Sequence, residues 1–263
     1  MPELEVGTQR IRFEDHGGEG PALVFCHAFA MDHSMFMPQI RQFSGTHRCV
    51  AWDQRGHGGS PTGRPFTLWD SARDAMALLD HLGIDRATFI GTSQGGFVSM
   101  RAALLAPRRV AGLVVLGSSA SAERRWQRMS YQMLSLALRG TRALGLPQLP
   151  LNVLRDICFG ARFDGSGWMD RWRQWPSAQF TRALDALVAR DDISPRLNEI
   201  KAPALVLHGS ADQAYSLDVA RIIADGLADC RDFVAVEGGA HFLSLTDPAP
   251  VNAALRSFLE DVG

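Results

Sequence analysis

A serine set between two glycines, Gly91-Thr92-Ser93-Gln94-Gly95, has the spacing that a nucleophile needs. The pattern G-x-S-x-G puts the serine on a sharp strand-to-helix turn, with its hydroxyl exposed and glycines permitting close backbone approach. The motif directly follows the apolar run Ala87–Ile90 and directly precedes a helix-forming run from Phe97, the context such a turn requires. A serine hydroxyl attacks poorly until a base takes its proton, and the usual base is a histidine oriented by a carboxylate. Two later apolar runs lead to such residues: Ala204–Leu207 to Asp212, and Phe233–Val236 to His241, in the order Ser, Asp, His. His241 is the expected base. Among the other histidines, His27 and His57 lie in turns and read as structural, and His208 ends a strand and reads as a core or turn residue. His16, His33, His47 and His81 have no partner pattern. Asp218 competes with Asp212 for the carboxylate role, although it falls inside the next helical pattern. A carbonyl under attack develops an oxyanion, which two backbone N–H groups can bind. The expected donors are Gln94, just after the serine, and Phe29, with Ala28 as the alternative in that loop.

These residues can meet only if strands deliver them to one edge of a sheet. Short apolar runs at Ala22–Cys26, Cys49–Trp52, Ala87–Ile90, Val110–Leu116, Ala204–Leu207 and Phe233–Val236 alternate with helical patterns. Such alternation indicates an α/β fold with a mostly parallel central sheet flanked by helices. The runs are nearly continuous in apolar character, as parallel strands covered on both faces are. A hairpin near Leu4–Glu14 would add antiparallel edge strands. Loops at the carboxyl ends of the strands then bring Phe29, Ser93, Asp212 and His241 together. Helices are predicted at Trp69–Leu82 (stopped by Gly83), Phe97–Leu105, Leu217–Leu227 and Val251–Leu259. Residues 120–190 break the alternation and contain no convincing strand. They hold four of the six tryptophans, Trp126, Trp168, Trp172 and Trp175, so a helical insertion is expected there. The organisation is therefore a core of 1–119 and 191–263 with an insertion at 120–190. Most of the inserted aromatics should pack against the core. A few should line an apolar pocket, and the expected substrate contacts are Trp126, Met129 and Trp175, with Ala28 and Phe242 from the core.

Composition narrows the classes. The chain has 263 residues, 46% of them hydrophobic and 21% charged, which fits a globular protein and excludes disorder and coiled coil. A net charge of −1 argues against a nucleic-acid partner. No apolar run approaches the roughly 20 residues of a membrane helix, and no secretory signal is visible, so no membrane partner and a cytoplasmic location are expected. Residues 120–190 carry 11 arginines against 5 acidic residues, so charge is unevenly spread. Arg124, Arg125 or Arg128 could there hold a substrate carboxylate. The cysteines Cys26, Cys49, Cys158 and Cys230 show no C-x-x-C spacing, so no metal site and no cofactor are expected. The expected partner is a small-molecule substrate, with a homodimer possible.

Four landmarks together resemble an α/β-hydrolase fold enzyme over nearly the whole chain. They are His27-Ala28-Phe29, the run Asp53-Gln54-Arg55-Gly56-His57-Gly58-Gly59-Ser60, the Ser93 turn, and the Asp212/His241 pair. The resemblance implies a helical cap at 120–190 and a structural turn at 53–60. It points to the serine esterase and enol-lactonase-like branch, cleaving an ester or lactone through an acyl-enzyme on Ser93. Ser93 departs from the haloalkane dehalogenases and epoxide hydrolases, which use aspartate. Thr92 stands where carbon–carbon bond hydrolases usually have asparagine, and Ala28 where the family usually has glycine. A carbon–carbon hydrolase, an acyltransferase or perhydrolase, and a triad-retaining ligand sensor remain as alternatives.

Overall fold

The computed structural model describes residues 2–123, 128–133, 136, 137, 140 and 148–262. Eight strands form one sheet: β1 (Glu3–Val6), β2 (Gln9–Asp15), β3 (Ala22–Cys26), β4 (Arg48–Trp52), β5 (Ala87–Thr92), β6 (Val110–Leu116), β7 (Ala204–Gly209) and β8 (Cys230–Val236). Their order is β1-β2-β4-β3-β5-β6-β7-β8. The β1–β2 and β2–β4 pairs are antiparallel, and every later pair is parallel. The central strands β3 and β5 are buried along their whole length, as the unbroken apolar sequence of β3 and the largely apolar one of β5 require. Edge strand β8 is only partly covered, and its exposed Arg231 and Asp232 blunt the open edge.

The flanking helices are α1 (Met37–Phe43), α2 (Leu68–His81), α3 (Gln94–Leu105), α4 (Gln148–Phe159), α5 (Ser166–Gln174), α6 (Ser177–Val188), α7 (Leu217–Gly226), α8 (Leu243–Thr246) and α9 (Pro248–Val262). Helix α2 starts where its sequence says it should. The Thr67 side chain accepts from the Asp70 N–H while the Asp70 carboxylate accepts from the Thr67 N–H, a reciprocal cap. Helix α3 starts at Gln94, three residues before the expected start at Phe97. Gly95 and Gly96 are poor helix formers in isolation, but packing decides here. A Cβ at Gly95 would lie 1.8 Å from the Cys26 carbonyl oxygen, so only glycine lets α3 seat against β3. Between β6 and β7 the described residues are helical or irregular and hold no strand. No helix among the described residues is long and apolar enough to cross a membrane.

Register fixes the site. Cys26 pairs with both Trp52 and Gly91, Leu116 with Leu207, and Gly209 with Val236. The carboxyl ends of β3, β5, β7 and β8 therefore lie along one edge, and the loops leaving them converge.

Candidate active site

Ser93 follows β5 directly and holds φ 51°, a left-handed conformation that non-glycine residues seldom adopt. The Ser93 N–H donates to the Leu116 carbonyl at 2.8 Å, and its carbonyl accepts from the Ser118 hydroxyl at 2.9 Å. These contacts hold the strained turn in place. The side chain projects from the start of α3 toward His241.

His241 Nε2 lies 2.9 Å from Ser93 Oγ, and His241 Nδ1 lies 2.8 Å from Asp212 Oδ2. The three side chains thus form one hydrogen-bonded line, although they come from loops after β5, β7 and β8. The Asp212 carboxylate is buried. Its other oxygen accepts from the N–H groups of Ala214 at 2.7 Å and Tyr215 at 3.0 Å. Burial works to raise the Asp212 carboxyl, but the His241 imidazole, with His208 and the Tyr215 N–H behind it, holds it below the usual carboxylate range. An aspartate kept ionised in this way can orient an imidazole and stabilise its cation. Asp218, the competitor by sequence, stands exposed in the first turn of α7.

His208 does more than fill the core. It is fully buried, its Nε2 is 2.9 Å from the Tyr215 carbonyl, and it is 3.2 Å from Asp212 Oδ2. Burial pushes its pKa down against the pull of Asp212, beside which it packs. Its position at the end of β7, four residues before Asp212, was the available signal.

The loop after β3 brings Phe29 over the serine. No acceptor among the described residues engages the N–H of Phe29 or of Gln94. The Ala28 N–H, the alternative donor, instead lies 3.2 Å from Met35 Sδ. Behind these amides, Gln94 Nε2 donates to Gln54 Oε1 at 3.1 Å, Gln54 Nε2 donates to the His27 carbonyl, and the Gln54 N–H donates to His27 Nε2 at 2.9 Å. This chain ties the β3 loop to the start of α3. His57 packs beside it with no partner for Nε2 among the described residues, and burial pushes its pKa down to about 3.

A cavity of about 190 Å³ opens over Ser93 and His241. Phe29 and Phe242 form its core side, Tyr131, Leu154, Ile157, Cys158 and Leu187 its far wall, and Gln213 and Tyr215 one end. Of the expected substrate contacts, Phe242 lines this cavity. Three others need correction or lie elsewhere. Met129 is 65% exposed, because the helical turn it sits on points its neighbours Ser130 and Tyr131 inward instead. Trp175 donates its indole N–H to the Gly56 carbonyl at 3.0 Å and packs on His57 and Phe29 from behind, away from the cavity. Ala28 is fully buried beneath the loop and does not reach the cavity. Trp126, Arg124 and Arg125 lie outside the described residues. Arg128 is exposed and donates to the Glu123 carbonyl rather than into the cavity. The missed wall residues Leu154, Ile157 and Cys158 are spaced i, i+3, i+4, a stripe legible only once α4 is recognised as a helix.

The family model described as "alpha/beta hydrolase fold" matches residues 21–248. The chain is 25% identical over 248 residues to 3-oxoadipate enol-lactonase 1 of Acinetobacter baylyi, covering 92% of this chain and 90% of that protein. It is 26% identical over 249 residues to the pimeloyl-[acyl-carrier protein] methyl ester esterase of Edwardsiella ictaluri, covering 90% and 93%. The crystal structure of the enol-lactonase from Burkholderia xenovorans superposes with a TM-score of 0.87 at 23% identity, covering 98% of this chain and all of that one.

Proposed function

Because the chain belongs to the alpha/beta hydrolase fold family, we propose that it hydrolyses a carboxylic ester or lactone through an acyl-enzyme on Ser93. The observation that carries this reading is the line from Asp212 through His241 to Ser93, ending at the floor of an apolar cavity. Ser93 Oγ attacks the carbonyl carbon as its proton passes to His241 Nε2. Asp212 stabilises the imidazolium. The N–H groups of Gln94 and Phe29 bind the oxyanion, and Gly95 lets the two donors approach one another. The tetrahedral intermediate collapses as His241 protonates the leaving alkoxide. Water then attacks the acyl carbon, giving its proton to His241, and the acid leaves with Ser93 restored. The helices within residues 120–190 serve as the cap that selects the substrate.

The cavity has room for about six water-sized groups. Its described lining is mostly apolar, with Phe29, Leu154, Ile157, Leu187 and Phe242 around the serine, which favours a short apolar acyl chain. The two relatives described above are named for a lactone and a methyl ester, which supports an ester or lactone as the bond cleaved.

The test is a panel of p-nitrophenyl esters from acetate to octanoate, run beside Ser93→Ala. Turnover should peak at four to six acyl carbons, and Ser93→Ala should lose about 10⁴-fold or more in kcat. Retained activity in Ser93→Ala would overturn the assignment.

A further inference from the structure

Several contacts outside the reacting line meet at Tyr215. Its backbone N–H donates to Asp212 and its carbonyl accepts from His208. Its ring centroid lies 5.6 Å from that of His241. Its hydroxyl donates to Glu123 Oε1 at 2.9 Å. Glu123 is itself paired with Arg190 at 2.6 Å, with both side chains almost fully buried. These two charges stand at either end of the helical segment between β6 and β7. Arg190 also donates to the carbonyls of Ser121 and Leu187, and its guanidinium lies 4.2 Å over the Phe97 ring. Nearby, the Ile193 N–H donates to the Ala120 carbonyl at 3.0 Å, closing the neck of the segment. Glu123 Oε2 has no hydrogen-bond partner among the described residues, so Arg190 and Tyr215 converge on the one remaining oxygen.

A buried ion pair is a poor source of stability, because desolvation offsets most of its attraction, but it fixes geometry well. Here the fixed geometry belongs to the loop that carries Asp212. We propose that Tyr215 is a positioning residue for Asp212 and His241, with the Glu123–Arg190 pair as its anchor. Tyr215 reaches Asp212 through its backbone and the anchor through its hydroxyl, so a shift at the neck moves the acid relative to the base. The inference rests on the reading of Ser93, His241 and Asp212 as the reacting line.

The test uses Tyr215→Phe, which keeps the ring and the ion pair, with Glu123→Gln as the second variant. Three quantities are measured: kcat, KM for a short p-nitrophenyl ester, and the downfield proton NMR resonance of His241 Nδ1–H. Tyr215→Phe should lose about tenfold in kcat at unchanged KM, the cost of one charge-assisted hydrogen bond expressed in rate, and its resonance should move or broaden. The double variant should be no slower than the slower single one, because both cut the same link. Wild-type kcat with an unmoved resonance would overturn the proposal, as would a change in KM alone or fully additive losses. Wild type that turns over no ester would count against the hydrolase reading instead. The resonance needs no substrate and would still decide whether Tyr215 positions the pair.

Discussion

The loops that carry Ser93, Asp212 and His241 and the helices that roof them are attached in different ways. Each loop leaves a parallel strand and is pinned within a few residues by backbone hydrogen bonds, such as Ser93 N–H to Leu116 and the two amides on Asp212. The helices between β6 and β7 are fastened to this frame largely through side chains. The Trp172 indole N–H donates to the Ala30 carbonyl at 2.6 Å, Trp175 donates to Gly56, and the Phe242 N–H donates to the Cys158 carbonyl. The same helices leave Met133, Leu136 and Val153 more than half exposed, whereas the loops bury nearly all their apolar side chains. The proposed reacting groups are therefore built into the sheet, and the walls of the cavity above them are laid over it. Changes in the two regions should separate, the first acting on kcat and the second on substrate choice.

The largest effect should come from the frame. Asp212→Asn keeps the shape but reverses the hydrogen-bonding role of one oxygen, and kcat should fall about 10³- to 10⁴-fold. Asp218→Asn, on the exposed turn of α7, should stay near wild type. Steady-state kinetics of the two side by side check this, and the opposite ranking would place the acid on α7. A smaller effect should come from the roof. Leu154→Trp fills the far wall, so octanoate should lose about 10- to 100-fold relative to acetate while acetate kcat holds. Equal losses on both esters would mean that wall and frame are not separable.

The smallest effect concerns the seam between them, where Trp175 and Phe29 pack on His57. Burial holds His57 neutral down to about pH 3, whereas the unfolded chain protonates it below about 6.5. Between those values the unfolded state binds one more proton, so stability falls as pH falls, by about 1.4 kcal/mol per unit for this group. His27, also depressed by burial, adds in the same direction. Asp53, held at about 2, contributes stability that is lost only below about pH 3.8, which lies under the range from pH 7 to 5. Denaturant unfolding at pH 7, 6 and 5 should show the decline, and His57→Gln should flatten it; an unchanged slope would clear His57.

The frame was legible from sequence, and of the roof its helical character was but its cavity-facing residues were not, for physical reasons. Ser93 sits in a local turn motif, and Asp212 and His241 follow apolar strands whose ends are visible as breaks in hydrophobicity. Reaching the cavity wall needs the rotation of each helix about its axis, and one residue of error turns a side chain by about 100°. A turn of one or two such steps separates Met129, which faces outward, from Ser130 and Tyr131, which line the cavity. Tyr215 escaped notice because its role joins residues 92 positions apart in the chain. Trp172 reads as apolar bulk and Trp175 as a substrate contact, but their indole N–H groups make both fasteners between helix and loop.

The 148-residue separation of Ser93 from His241 also bears on the protein's birth. A chain grown from its N-terminus completes β3, β4 and β5, and with them the serine turn, while the acid and the base have yet to be synthesised. Until β7 and β8 dock, Ser93 is an ordinary alcohol with no proton acceptor. If Ser93 and His241 act as proposed, a chain stalled on the ribosome or clipped before residue 241 should therefore turn over no ester. Reactivity arrives with the last strand, as a property of the finished sheet.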